Sequence, residues 1–273
     1  MRRRDFLTLA TGGAIGAAAG RSWPTAESSD GEDNDDLADE LVEDPRSGLQ
    51  RIVWTVRTEA PLAALSFDDG PHPALTPRIL DILDQHGVKA TFLAMGYAAQ
   101  QHPRLMADVV AAGHEVGHHS WRHYNMATID SLQTQREIEE GARLVEEASG
   151  VPVRWFRPPK GRLNEAAIRT VARQRQDIVL WSVTRGALDE RSPRRVADHV
   201  AGSMGPGDIV DLHDGIGRGT FNPDGLLADE LMARRRTEID ALPRILRQLR
   251  SRGIRPVTIG ELMETRAPTE VSA

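Results

Sequence analysis

Cysteine is absent from the 273 residues, which removes disulfides and thiol chemistry from consideration. A chain of this length can build a core large enough to dispense with such staples, even outside the cytoplasm. Lysine is nearly absent too: it stands only at 89 and 160, and arginine takes every other one of the 34 basic positions. A GC-rich coding composition accounts for that bias, so it identifies no anion site by itself. No apolar run is long enough to cross a bilayer, which excludes a bundle of membrane spans. Nor is there a global basic field. The formal net charge is −6, but ten acidic residues and no base lie between Glu27 and Asp44. Outside that run and the basic N-terminal segment the chain is close to neutral, which argues against nucleic acid as a partner. Aromatic residues make up 4%, and no platform for a sugar ring stands out. What is present, 40% hydrophobic and 27% charged residues, is ordinary globular composition for one large domain or two small ones.

The N-terminal residues read as an address. Arg3 and Arg4 precede Asp5, Phe6 and Leu7, and a weakly apolar Gly- and Ala-rich stretch runs over 7–20. It is too short and too rich in glycine to span a membrane, and Ala17 and Ala19 suit a cleavage site. Residues 1–26 are therefore read as a twin-arginine-type signal segment, implying export and a twin-arginine translocase as transient partner. Residues 27–48 combine the acidic run with Ser, Gly, Asn and Pro, and are read as a disordered, solvated linker. Residues 49–273 form the folded domain, expected to be a monomer.

From about residue 51, short apolar runs alternate with segments of helical period. Strand-like runs are expected at 61–67, 90–95, 114–117, 153–156, 178–183, 209–212 and 256–259. Helices are expected at 75–85, 103–112, 132–148, 165–173, 193–202 and 238–252. Asp130 or Ser131 should cap the longest helix at its start and Gly150 should close it. Strand followed by helix, repeated, predicts an α/β fold of parallel strands with crossover helices, as a barrel or an open sheet. In such folds the chemistry gathers where strands end.

Those ends carry chemistry. The first strand runs into Ser66-Phe67-Asp68-Asp69-Gly70-Pro71, the third into His119-Ser120-Trp121-Arg122-His123. Arg157-Pro158-Pro159-Lys160-Gly161 and Leu212-His213-Asp214 follow later strands. Two imidazoles four residues apart plus a carboxylate suit a hydrolytic metal site with open coordination positions. Adjacent Asp side chains diverge, so one can bind metal while the other faces substrate. Neither an H-x-x-x-H pair nor an Asp-Asp-Gly-Pro turn is specific alone, since turns favour these residues; their order along one rim is what is specific.

In those four motifs the chain resembles the NodB-homology polysaccharide deacetylases (carbohydrate esterase family four), over roughly residues 62–262. The resemblance implies a distorted, seven-stranded (β/α) barrel with outer helices. It also implies a divalent metal, zinc above all, with cobalt or nickel as alternatives, held by Asp69, His119 and His123. Asp68 would be the general base, His213 the general acid, and Arg157 the partner that keeps Asp68 ionised. The Lys160 N–H would serve the oxyanion beside Pro158, while Leu212, with Trp181 as a weaker candidate, would wall a pocket for the acetyl methyl. The implied reaction is hydrolysis of N-acetyl, less often O-acetyl, groups on an acetylated glycan such as peptidoglycan or a chitooligosaccharide.

The chain departs from the family at two places. Thr184 and Ala187 follow Trp181-Ser182-Val183 where these enzymes usually carry Asp to orient the acid; Asp189 and Asp214 are left as substitutes. Lys160 replaces a common aromatic. Residues 215–236, with the cluster Arg234-Arg235-Arg236, read as an inserted loop and candidate lid. Two other readings compete: a metal-dependent amidase on a small non-sugar substrate, and a glycan-binding relative that kept the metal but lost turnover.

Overall fold

The structure, a computed structural model, describes residues 40–44 and 48–266. The expected signal segment over 1–26, most of the acidic stretch and the last residues of the chain lie outside these.

Eight parallel strands carry the fold. In chain order they are β2 (Gly48–Val53), β3 (Leu62–Asp68), β4 (Thr91–Ala94), β5 (Glu115–His118), β6 (Trp155–Phe156), β7 (Asp177–Val179), β8 (Val183–Thr184) and β9 (Ile209–His213). Their order in the sheet is β2-β7-β6-β5-β4-β3-β9-β8, one strand more than the seven expected. A short β10 (Arg255–Val257) pairs with the start of β3. At the other edge β1 (Glu40–Asp44) lies antiparallel to β2, so the end of the stretch expected to be a solvated linker is part of the sheet. Backbone pairing at this edge overrides a composition that reads as disordered.

The single apolar run at 178–183 is two strands, and this break curls the sheet. β7 and β8 stand six positions apart in the strand order, which in a flat sheet would separate them by about 29 Å. Only Leu180, Trp181 and Ser182 join them, a reach of about 14 Å at most. The sheet therefore bends into a half-barrel. Leu180 N–H donates to Val53 O at 2.7 Å and Ser182 N–H to Ile209 O at 3.0 Å, tying this connection to both sides.

Strand alternation then sorts the side chains. Ala63, Leu65 and Phe67 of β3, with Val210 and Leu212 of β9, join the large core under the helices. Leu62, Ala64 and Ile209 join Val53, Leu93, Trp155 and Val257 inside the curl. Helices α1 (Thr76–His86), α2 (Gly96–Gln101), α3 (Pro103–Ala111), α4 (Ser131–Ser149), α5 (Glu165–Arg173), α6 (Pro193–Ser203), α7 (Leu226–Ser251) and α8 (Ile259–Glu264) surround the sheet. Asp130 caps α4 by accepting from Gln133 N–H, and Gly150 closes it in the left-handed conformation at φ 73°. Among the described residues, no helix is long and apolar enough to cross a membrane.

Helix α4 presses directly on the loop after β5. A Cβ built on Gly141 would lie 2.5 Å from the Ser120 carbonyl carbon and 2.8 Å from Trp121 N, both backbone atoms. Gly141→Ala should therefore displace the 119–123 loop and destabilise the chain by about 1–3 kcal/mol, as overpacking does. Thermal unfolding would check this; a melt unchanged from wild type would contradict it.

Candidate active site

Asp68 ends β3 on its inner face, and Asp69 follows in a left-handed conformation at φ 76°. His119 follows β5, and the loop after it turns back through left-handed Ser120 (φ 64°) and His123 (φ 59°). Buried Glu137 of α4 fixes this loop: its carbonyl accepts from Trp121 N–H and its Oε2 from Arg122 N–H at 2.8 Å. His123 N–H is taken by Ser120 Oγ at 3.1 Å.

This loop and the end of β3 together bring three ligand atoms to one point. Asp69 Oδ1 lies 3.2 Å from His123 Nε2 and 3.8 Å from His119 Nε2, and a ligand atom from each residue lies within 4.8 Å of the others. His119 Nδ1 is 2.7 Å from Arg157 O. Donation there places its lone pair on Nε2. Burial pushes both imidazoles down to about 4, so they stay neutral as metal ligation requires. Burial opposes ionisation of Asp69, but His123, His213 and Arg235 outweigh it and hold the carboxyl well below its usual range. Asp69 Oδ1 is buried without a hydrogen-bond partner. An orphaned carboxylate oxygen facing two neutral imidazoles is a donor set that fits a divalent cation.

Asp68 borders this group, its Oδ2 3.6 Å from His119 Nε2, but its other oxygen is engaged elsewhere. Arg157 Nη1 donates to its Oδ1 at 2.8 Å, and both side chains are buried. Arg157 is itself held by the carbonyls of Leu180, at 3.0 Å, and Val179. Burial raises the Asp68 pKa against the lowering pull of Arg157 and His213. His213 ends β9 directly across from Asp68 in the parallel register. Its Nδ1 lies 3.1 Å from Glu238 Oε2. Burial and Arg235 push its pKa down, but Asp211 and Glu238 reverse this and raise it to about 9. A carboxylate and an imidazolium thus face each other beside the three-ligand cluster, an arrangement suited to a base and an acid.

The remaining expected residues are divided. Lys160 is exposed on a left-handed turn (φ 60°), where Gly161 N–H bonds Pro158 O. Buried Pro158 begins that turn. Trp181 lies against it, its ring centroid 5.6 Å from Arg157 Cζ, and a Cβ on Gly161 would come within 3.1 Å of the indole. Leu212 does not wall the site: it is 1% exposed and packs in the helix-side core. As the neighbour of His213 in a strand, it points to the opposite face. Asp211, two residues before His213, takes the inward position, with Oδ1 3.8 Å from His213 Nε2 and 3.7 Å from Arg157 Nη1.

Neither expected substitute for the missing Asp reaches His213. Asp189 is exposed, and Asp214 is bound to Gly70 N–H at 3.0 Å and Thr76 Oγ1 at 2.7 Å. The carboxylate at His213 is Glu238, from α7. The presumed loop 215–236 is a 3-10 turn (Gly217–Phe221) followed by the first turns of that helix. From it Arg235 reaches Asp69 Oδ2 at 3.1 Å and Glu238 Oε1 at 3.2 Å. A charged pair three residues apart on the buried stripe of α7, among Ile239, Leu242 and Leu246, is the sequence signal for these two residues.

Comparison with known proteins agrees with this geometry. A sequence model described as polysaccharide deacetylase matches residues 55–177. The chain is 33% identical over 214 residues to a peptidoglycan-N-acetylglucosamine deacetylase of Bacillus cereus, spanning 78% of this chain and 92% of its relative. It is 34% identical over 210 residues to a chitooligosaccharide deacetylase of Sinorhizobium fredii, spanning 77% and 91%. Among solved structures, a peptidoglycan N-acetylglucosamine deacetylase superposes with a TM-score of 0.68 at 28% identity, over 78% of this chain and 93% of that one. A mutant of a carbohydrate esterase family four pseudoenzyme with restored activity gives 0.68 at 26%, over 80% and 72%. With the strand order, the cluster of Asp69, His119 and His123 and the facing Asp68 and His213 already in place, these similarities make the chain a member of the polysaccharide deacetylase family, carbohydrate esterase family four, and a hydrolase.

Proposed function

We propose that this protein removes N-acetyl groups from a cell-wall or extracellular glycan, using a divalent metal, zinc first and cobalt or nickel as alternatives. The observation that carries the reading is the convergence of Asp69, His119 and His123 beside Asp68 and His213. Asp69, His119 and His123 would hold the ion, which supplies Lewis-acid activation of water and of the acetamide carbonyl. Asp68, aimed by Arg157, takes the proton from the attacking water. The Lys160 N–H donates to the developing oxyanion. His213 enters as imidazolium and gives its proton to the leaving amine nitrogen. An O-acetyl ester, whose leaving oxygen needs the same proton, fits the same residues.

A glycan, rather than a small amide, is favoured by the rim. The Tyr97 and Phe221 rings meet at 4.7 Å between centroids with their planes tilted by 44°, and Arg218 Cζ lies 4.5 Å from the Tyr124 ring centroid and 5.7 Å from that of Phe221. Tyr124 follows the ligand His123, and a Cβ on Gly217, beside Arg218, would be 3.1 Å from Asp69 Oδ1. Aromatic faces beside the reacting centre suit sugar rings. In the same reading, Arg3 and Arg4 send the chain through a twin-arginine route to the envelope or beyond, where such glycans lie, as a monomer.

Acetate release tests this. The full chain, stripped with EDTA and reloaded with zinc or cobalt, is given N-acetyl-chitooligosaccharides and peptidoglycan fragments. Metal-restored acetate, with kcat/KM rising with oligomer length, is expected. Acetate from small amides alone would move the assignment to an amidase. Bound metal with no acetate from any substrate would leave a glycan-binding relative.

A further inference from the structure

Family members usually carry the carboxylate that orients the acid histidine just after the strand corresponding to β8. Here that position offers Thr184, half-buried, and Ala187, exposed. The charge has moved to another element. Glu238 is 2% exposed, lies on the buried face of α7 and places Oε2 3.1 Å from His213 Nδ1. Its other oxygen accepts a hydrogen bond from Arg235 Nη1 of α7 at 3.2 Å and lies 3.1 Å from Arg185 Nε, in the segment after β8, an ion-pair contact without hydrogen-bond geometry. Arg235 is pinned in turn by Gly215 O at 2.9 Å. One hydrogen-bonded guanidinium and a second positive charge at the same oxygen oppose rotation of the carboxylate away from the imidazole.

We propose that Glu238 is the positioning residue of His213, held in place by Arg185 and Arg235, and that α7 thereby replaces the function lost at Thr184 and Ala187. This rests on the reading of His213 as the acid. Accepting the Nδ1 proton leaves Nε2 as the position that faces substrate and carries the transferable proton. Among the described residues no other carboxylate is placed to do this. Asp211 approaches Nε2 rather than Nδ1, at 3.8 Å, beyond hydrogen-bonding distance. Asp68 is engaged by Arg157 and Asp214 by Thr76 and Gly70. Arg235 extends the arrangement to the metal cluster by binding Asp69 Oδ2, which leaves Oδ1 to face the two imidazoles. One helix thus orients both the acid and a metal ligand, although every motif of the family lies outside it.

The test uses the full zinc-loaded chain as wild type, Glu238→Gln and Glu238→Asp. Three readouts are followed: zinc content, the pH profile of kcat on N-acetyl-chitooligosaccharide, and the 15N shifts of the His213 ring. The groups facing His213 that could also move the profile are Asp68 and Asp69 after β3, His123 after β5, Asp211 of β9, Arg185, and Arg235 and Glu238 of α7. Glu238→Gln should keep zinc, lower kcat on the order of a hundredfold, and move the descending limb to lower pH. It should also lose the Nδ1-protonated preference in the 15N spectrum. Glu238→Asp, which keeps the charge on a shorter arm, should recover part of the rate and part of the limb. A Glu238→Gln chain with kcat within twofold of wild type and an unmoved limb overturns the proposal. If that variant fails to fold, Glu238→Asp decides: a wild-type rate and unchanged His213 shifts overturn it equally. A wild-type chain without acetate release would sink the deacetylase reading instead, while the His213 shifts would still report whether Glu238 sets the tautomer.

Discussion

Asp68→Asn is expected to lower kcat by about 10³-fold, within the range for losing a positioned general base, while zinc stays bound. The separation follows from the contacts. Asp68 gives one oxygen to Arg157 at 2.8 Å, and its other oxygen is 3.6 Å from His119 Nε2, whereas Asp69 supplies the orphaned oxygen in the three-ligand cluster. The substitution also takes the 2.8 Å carboxylate partner from the buried Arg157 guanidinium and leaves it Asp211 at 3.7 Å, so the melting temperature should fall along with activity. Calorimetric zinc titration beside an acetate assay reads both effects; loss of zinc with Asp68→Asn would mean that the two carboxylates exchange roles. In the wild-type chain the activity profile should be bell-shaped. Activity rises as Asp68 loses its proton, above the ordinary carboxylate range because burial raises it. It falls as His213 loses its proton, near 9.

His119→Ala should abolish zinc binding at micromolar concentration, and activity with it. His119 is the most tightly built of the three ligands: its ring is buried, its Nδ1 is engaged by Arg157 O at 2.7 Å, and its backbone N–H donates to Ala94 O at 2.8 Å. No other described imidazole is placed to take over. The adjacent His118 points to the other face of the strand, with Nε2 3.0 Å from Gln176 Oε1. Zinc should raise the melting temperature of wild type and leave that of the variant unmoved, since stabilisation by a ligand follows its affinity. Zinc content equal to wild type would remove His119 from the ligand set.

Much of this site is legible in the sequence because strand ends in a parallel α/β fold collect function, and here each end carries its residues consecutively. Asp68-Asp69, His119 through His123 and Arg157 through Gly161 need only the order of strands to be brought together. Two parts were not legible, for different reasons. Leu212 reads as a pocket wall beside His213, yet adjacent strand residues face opposite ways, and alternation assigns the inward place to Asp211. Glu238 lies 25 residues after His213 on a helix, and only the packing of α7 against the sheet brings it back. The start of that helix was hidden by Gly217, Gly219, Pro223 and Gly225, and by Leu226 and Leu227, which the fold leaves exposed. The β1 strand was hidden by its charge, since Glu40, Glu43 and Asp44 are three of its five residues. Backbone pairing with β2 does not depend on them.

Five described non-glycine residues adopt left-handed backbone conformations, and four of them, Asp69, Ser120, His123 and Lys160, are in the loops that build the reaction centre. Each such residue disfavours the folded state by roughly 1 kcal/mol relative to glycine. Selection for heat resistance alone would therefore enrich glycine at these positions and erode turnover as it did so. For this protein, durability and catalytic power are opposed at the level of individual φ angles, and a hardier variant is better sought in the helices on the far side of the sheet.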